Sequence, residues 1–214
     1  MIAWTVFVVI FFCLLLLSNP CWLITFEDPY TEFVLASPAF NNFNGFSTYK
    51  NREYGFEIQY PSDWQKIEFI QGVERGGRNI VINFLSLSEA SSDKFRAYMI
   101  VEVANLQPPQ PLTGYVNQQI SDHKKMFPGF KLIESTSSSS SNSVNESHGI
   151  HTSVLPYSKF VFRYDESMAE EIQVMELYFL NKNRIYILSF HSEATGYGNY
   201  LPKIREMVDS FHIT

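Results

Sequence analysis

From Tyr49 onward, hydrophobic positions recur with short periods, and each change of period marks a predicted element. Phe56, Ile58 and Tyr60 alternate with Glu57 and Gln59, the period-two signature of a half-buried strand. Pro61 closes that strand because it lacks an N–H and fixes φ, and it holds Tyr60 in extended geometry. Ser62 and Asp63 suit a tight turn that returns Trp64 to the core. A second strand is expected over 64–69, with Ile67 and Phe69 on one side. Gly72, Gly76 and Gly77 then break the pattern, as in a hairpin loop. Ile80–Leu85 and Tyr98–Val103 are nearly continuous apolar runs, as expected of strands covered on both faces. The polar stretch Ser86–Lys94 between them reads as a turn.

Pro108-Pro109-Gln110-Pro111 introduces a change to helical period. Leu112, Tyr115, Val116, Ile120, His123 and Met126 fall at three- and four-residue spacing, which makes one face apolar. Lys124 and Lys125 suit the negative end of the helix dipole, and Phe127-Pro128-Gly129 stops the helix. Strands are expected over 130–133, 151–154 and 160–164. The clearest hairpin joins 172–180 to 185–191 through Asn181-Lys182-Asn183-Arg184, with Asn183 expected to supply the positive φ of a tight turn. Tyr200, Leu201, Ile204, Met207, Val208 and Phe211 form a second amphipathic stripe, with Pro202 placed in its first turn, where a missing N–H costs little. No internal repeat is evident. Strands, helix, strands, helix, with hairpin-length links, predict an α+β domain in which helices pack an antiparallel sheet.

The lead-in Tyr49-Lys50-Asn51 followed by Tyr54-Gly55-Phe56-Glu57-Ile58-Gln59-Tyr60-Pro61-Ser62-Asp63-Trp64 resembles the opening of PsbP-like domains. That family includes the extrinsic oxygen-evolving enhancer protein of photosystem II and many exported relatives outside photosynthesis. The resemblance extends from Tyr49 to the end of the chain through the order of elements. It implies an α/β/α sandwich with a central antiparallel sheet, and a domain that docks on membrane protein complexes without catalysing a reaction. The family's basic docking residues have no match in this sequence, so the scaffold carries over and the photosystem surface does not.

The region before residue 49 has a different character. Residues 2–26 contain no charged side chain, and the first Lys or Arg of the chain is Lys50. Residues 1–26 are therefore expected to be a hydrophobic helix, acting either as an uncleaved signal anchor or as a signal peptide. The anchor is the preferred reading. Ile2–Ile24 supplies the length a membrane span needs, Trp22 suits an interface, and Ser18-Asn19-Pro20-Cys21-Trp22 makes a poor cleavage site. Pro20 also spoils a lipobox at Cys21. In either case the domain is exported: membrane-anchored outside the cytoplasm, or secreted after cleavage. Residues 27–48 mix Pro, Asn, Gly and Phe without period and read as a tether. The domain then spans 49–214, interrupted by a low-complexity Ser-rich loop at 135–147.

The chain has a net charge of −6 and a pI of about 5.4, and no basic stripe. Nucleic acid is thus excluded as a partner, and electrostatic docking on anionic lipid is disfavoured. With Cys13 and Cys21 as the only cysteines, the domain has no thiol nucleophile and no disulfide. Enzyme signatures such as Gly-x-Ser-x-Gly and His-Glu-x-x-His are missing, and no catalytic residue and no resident cofactor are expected. His148 and His151, three residues apart with Glu146 nearby, are the candidate ligands for a divalent metal, ordinary surface histidines being the alternative. Asn145-Glu146-Ser147 is a glycosylation sequon, with meaning only if exported. Asp165, Glu166, Glu170 and Glu171 read as a solvated hairpin tip, with a cation site as the alternative. The expected role is that of an accessory or binding domain on a membrane protein complex. The alternative is an extracytoplasmic module that binds or senses a small ligand in an aromatic pocket between sheet and helix.

Overall fold

A computed structural model of the chain describes residues 45–75, 77–87, 95–138, 156–167 and 170–214. The hydrophobic helix at 1–26, most of the 27–48 tether, the 151–154 strand, and the rest of the Ser-rich loop beyond Ser138 lie outside those residues. Among the described residues, no helix is long and apolar enough to cross a membrane.

The elements run in the order β1 (Phe46–Asn51), β2 (Phe56–Pro61), β3 (Gln65–Arg75), β4 (Arg78–Leu85), β5 (Tyr98–Asn105) and α1 (Leu112–Met126). There follow β6 (Lys131–Ser138), β7 (Tyr157–Ser167), β8 (Glu170–Asn181), β9 (Arg184–Glu193), α2 (Tyr197–Ser210) and β10 (His212–Ile213). Seven strands form one antiparallel sheet in the order β3-β4-β5-β9-β8-β7-β6. The period-two alternation of each strand sends its side chains to two separate cores. On one face Ile172, Val174 and Tyr178 of β8 and Ile185 and Ile187 of β9 pack with Leu112 and Val116 of α1. On the other, Leu177, Phe179, Leu188 and Phe190 pack with Ile204, Met207 and Val208 of α2. Both cores are needed, which is why β8 and β9 read as nearly unbroken apolar runs.

The second core also takes in a sheet that the sequence did not reveal. β1, β2 and β10 form a three-stranded layer in the order β1-β2-β10, with Phe56 and Ile58 fully buried. Phe46 and Ser47, expected in the tether, are strand residues paired with Pro61 and Tyr60. Trp64 is 5% exposed and packs edge-on against Tyr200 of α2, with ring centroids 6.1 Å apart.

Three other expectations are corrected. Ser135–Ser138 do not open a loop: they extend β6 alongside β7, and the Ser137 and Ser158 hydroxyls hydrogen-bond at 2.9 Å. Pro202 is interior to α2, because the helix begins at Tyr197 behind a Gly196 N-cap. The ring therefore leaves the Gly198 carbonyl without its i+4 helical donor, at a glycine that is exposed to solvent. In the β8–β9 turn the positive φ falls on Lys182 (56°) and not on Asn183. The Asn183 carbonyl is engaged by the Leu106 N–H at 2.7 Å, which fixes its peptide from outside the hairpin.

Candidate functional site

Two polar features stand out on this scaffold: a buried seam beneath α1 and an open cleft at one end of the sheets.

The seam arises because lone polar residues interrupt otherwise apolar strands. Glu102 of β5 pairs with Ile187 of β9, which pairs with Tyr178 of β8, and Ser189 pairs with Glu176 in the neighbouring row. Tyr115, Gln119 and His123 recur every four residues on α1, so they share one face of the helix. His123 Nε2 donates to Glu176 Oε1 at 3.0 Å, and the Tyr178 hydroxyl donates to Glu176 Oε2. The Arg78 guanidinium donates to Glu102 Oε2 at 3.0 Å, to the Tyr178 hydroxyl at 3.2 Å and to the Gln119 side-chain carbonyl. Ser189 Oγ, 2.9 Å from His191 Nε2, donates to Glu176 Oε1 at 3.4 Å, and the His191 ring stacks on Tyr98.

Burial disfavours ionisation of Glu176, which is 4% exposed. The hydrogen bond from His123 and the charge of Arg78 outweigh it and hold the carboxyl at about 2. Burial likewise works against the Arg78 cation, but Tyr178, Glu176 and Glu102 keep its proton on. The Tyr178 hydroxyl is pushed far up by burial and by Glu176 beside it. His123 stands edge-on to Phe127, Phe160 and Phe162, and among the described residues its Nδ1 has no hydrogen-bond partner. Opposite charges thus meet one another inside the protein, and the seam clamps α1 to the sheet.

The cleft has a different construction. It encloses about 400 Å³ between the β1–β2 turn, the β5–α1 loop and the β8–β9 turn, a volume within the usual range of ligand sites. Its cationic side chains are Arg52, Lys182 and Arg184, set against one acidic side chain, Glu53, with Thr214 also in the lining. Among the described residues none of these three cations is in a salt bridge, although carboxylates occupy Lys50, Lys66 and Lys203 elsewhere. Four amide residues, Asn105, Gln107, Asn181 and Asn183, also belong to the lining.

The walls are tied together. The Tyr54 carbonyl accepts from the Tyr186 hydroxyl at 2.7 Å and from Arg184 at 3.3 Å, and the Arg184 guanidinium lies 5.7 Å from the centre of the Tyr54 ring. Gly55 has φ of +66° and its carbonyl accepts from the Thr214 N–H at 2.9 Å. A Cβ there would sit 3.3 Å from the Thr214 carbonyl, so glycine suits both the backbone and the close approach. Lys182 holds its positive φ without that freedom, at a cost of about 1–2 kcal/mol. Such strain gathers at functional positions.

Of the residues singled out in the sequence, His148, His151 and Asn145 lie outside the described residues. At the β7–β8 end Asp165 is the cross-strand partner of Glu171, whose carboxylate pairs with Arg163 at 3.0 Å and Lys131 at 3.3 Å. Among the described residues no three His, Cys, Asp or Glu side chains are grouped to hold a metal. The aromatic pocket expected between sheet and C-terminal helix is filled, because Ile204, Met207 and Val208 are fully buried there. Neither the seam nor the cleft was found from the sequence. Glu102 and Glu176, single charges inside apolar runs, were the available signal for the seam, since such residues are rarely buried unless paired.

The architecture is that of an α+β domain with antiparallel sheets and a helix on each side of the larger one. Residues 36–213 match the family of PsbP-like proteins, and the chain belongs to that family. Among solved structures, cyanobacterial PsbP from Synechocystis sp. PCC 6803 is similar with a TM-score of 0.53 at 14% identity, over 84% of this chain and 99% of that one. LpqN of Mycobacterium tuberculosis, described as involved in cell envelope biogenesis, is similar with a TM-score of 0.54 at 9% identity, over 79% of this chain and 91% of that one. The Ran-binding protein Mog1p of Saccharomyces cerevisiae reaches a TM-score of 0.50 at 9% identity, over 79% and 95% respectively. At these identities the likeness is one of fold. Curated proteins gave no match.

Proposed function

We propose that this chain is a non-enzymatic accessory protein, tethered by residues 1–26 to a membrane, with its PsbP-like domain outside the cytoplasm and docked on a membrane protein complex. The observation that carries the reading is the contrast between the two polar features. The seam holds the groups with the strongest shifts in acidity, and it is buried with its carboxylates hydrogen-bonded from within, which suits a structural clamp. The cleft instead offers cations without carboxylate partners on walls already fixed by hydrogen bonds, which suits binding. Family membership favours an accessory role, and a related fold in yeast is described as Ran-binding, an analogy at the level of fold alone. The uncharged N-terminal run supports the tether.

The test is gentle solubilisation of native membranes carrying the full chain, followed by native gel electrophoresis. Migration within a complex that survives salt washing of the membranes is expected. Migration as a monomer, or release of the chain by salt alone, would count against docking or tethering respectively. Uptake of a small solute by that monomer would support the ligand-sensing alternative, for which the cleft has sufficient volume.

A further inference from the structure

We infer that the cleft between the β1–β2, β5–α1 and β8–β9 connections binds an acidic peptide segment of a protein partner. The inference rests on the binding role proposed above and names its chemistry.

Three features of the cleft select that occupant. Its sign is opposite to that of the molecule: the chain carries −6 overall, yet Arg52, Lys182 and Arg184 meet a single acidic side chain, Glu53, here. An anion is thus favoured locally, while the net charge opposes approach to an anionic bilayer. The cations are divided between two turns, Arg52 on one wall and Lys182 and Arg184 on the other. That division suits a ligand with more than one negative group better than a single caged ion. Finally, Asn105, Gln107, Asn181 and Asn183 line the same space. A side-chain amide both donates and accepts, so it matches the alternating N–H and C=O groups of a peptide backbone, which an acceptor-only phosphate lacks.

Electrostatics and geometry are prepared before the ligand arrives. Arg184 is held against the Tyr54 carbonyl and ring, and Leu106 ties the β5–α1 loop to the Asn183 carbonyl. Arg52 and Lys182 are exposed, and among the described residues no hydrogen bond or ion pair holds their side chains, so they are the ones left to move onto carboxylates. Contacts of this kind strengthen at low salt and govern association rate and choice of partner.

The experiment uses the full chain in detergent micelles and a short fluorescein-labelled peptide of alternating Asp and Gly, read by fluorescence anisotropy across a salt series. Binding that weakens with salt is expected. The double variant Arg52→Glu/Lys182→Glu should lower affinity about tenfold or more, while Lys124→Glu, on the exposed face of α1, should leave it unchanged. Circular dichroism confirms that the double variant is folded. A peptide of alternating Lys and Gly should not bind. Equal affinity of wild type and double variant, or no binding of the acidic peptide at low salt, would overturn the inference. So would preferential binding of inorganic phosphate or of phosphatidylglycerol vesicles, or self-association of the chain that the double variant abolishes. If the double variant still migrates with the membrane complex, the cleft assignment fails and the accessory role stands. If the peptide binds through the cleft and no complex is found, the reverse holds.

Discussion

Glu176 shows how a single buried charge is made tolerable and what it contributes. Folding lowers its pKa from the ordinary 4.5 to about 2, so between those values the unfolded chain binds the extra proton. Stability from this group is therefore complete above pH 4.5 and is lost as pH falls toward 2, a loss of roughly 3 kcal/mol. Denaturant melts of the wild type and of Glu176→Gln across that window check this. The variant should be less stable at neutral pH and show a flatter acid limb, and parallel limbs would contradict it. Trp64 makes a second case at this scale. Its burial against Tyr200 predicts that Trp64→Ala loses about 3–5 kcal/mol, measurable in the same melts, whereas an exposed binding residue would leave stability nearly unchanged. Trp64 was legible from its Pro-x-x-Trp turn because the signal is local. Glu176 was not, because its partners Arg78 and His123 lie 98 and 53 positions away in the chain, and only strand pairing and the packing of α1 on the sheet bring them together.

Among the elements, the two helices are held by different means. α2 drives Ile204, Met207 and Val208 into the core, and Phe211 just beyond it meets Phe56 and Phe179. α1 buries only Leu112, Val116 and His123, packs Tyr115 and Ile120 in part against the core, and sets Gln119 and His123 in the polar seam. Less apolar burial means that local opening requires less free energy. Hydrogen exchange read by mass spectrometry should therefore find amides of α1 exchanging before those of α2, with acidification widening the gap. The opposite order would show that the seam holds α1 more firmly than hydrophobic contact holds α2. Both helices were legible from three- and four-residue spacing, as was the β8–β9 hairpin from its apolar runs. β1 and β10 were not: β1 buries Tyr49 alone, and β10 is two residues long. Each exists because β2 offers a partner edge, β10 across more than 150 positions of chain. Sequence period carries no record of such pairing.

At the scale of the whole molecule, an acidic chain presents a basic cleft where three connections meet. Composition favours neither nucleic acid nor anionic lipid as a partner, and the fold gathers Arg52, Lys182 and Arg184 from turns that are distant in sequence. The cleft was illegible beforehand for that reason: turns carry no period, and their assembly depends on the β2–β10 and β5–β9 pairings. We propose that this cleft, and not the exposed face of α1, meets a protein partner at the membrane. The most direct test is site-specific photo-crosslinking in native membranes, with a benzophenone side chain in place of Asn183 at the cleft or of Lys124 on α1. The account predicts a discrete protein adduct from position 183 alone, suppressed by excess Asp–Gly peptide. Adducts of equal yield from both positions, or none from position 183, would contradict it.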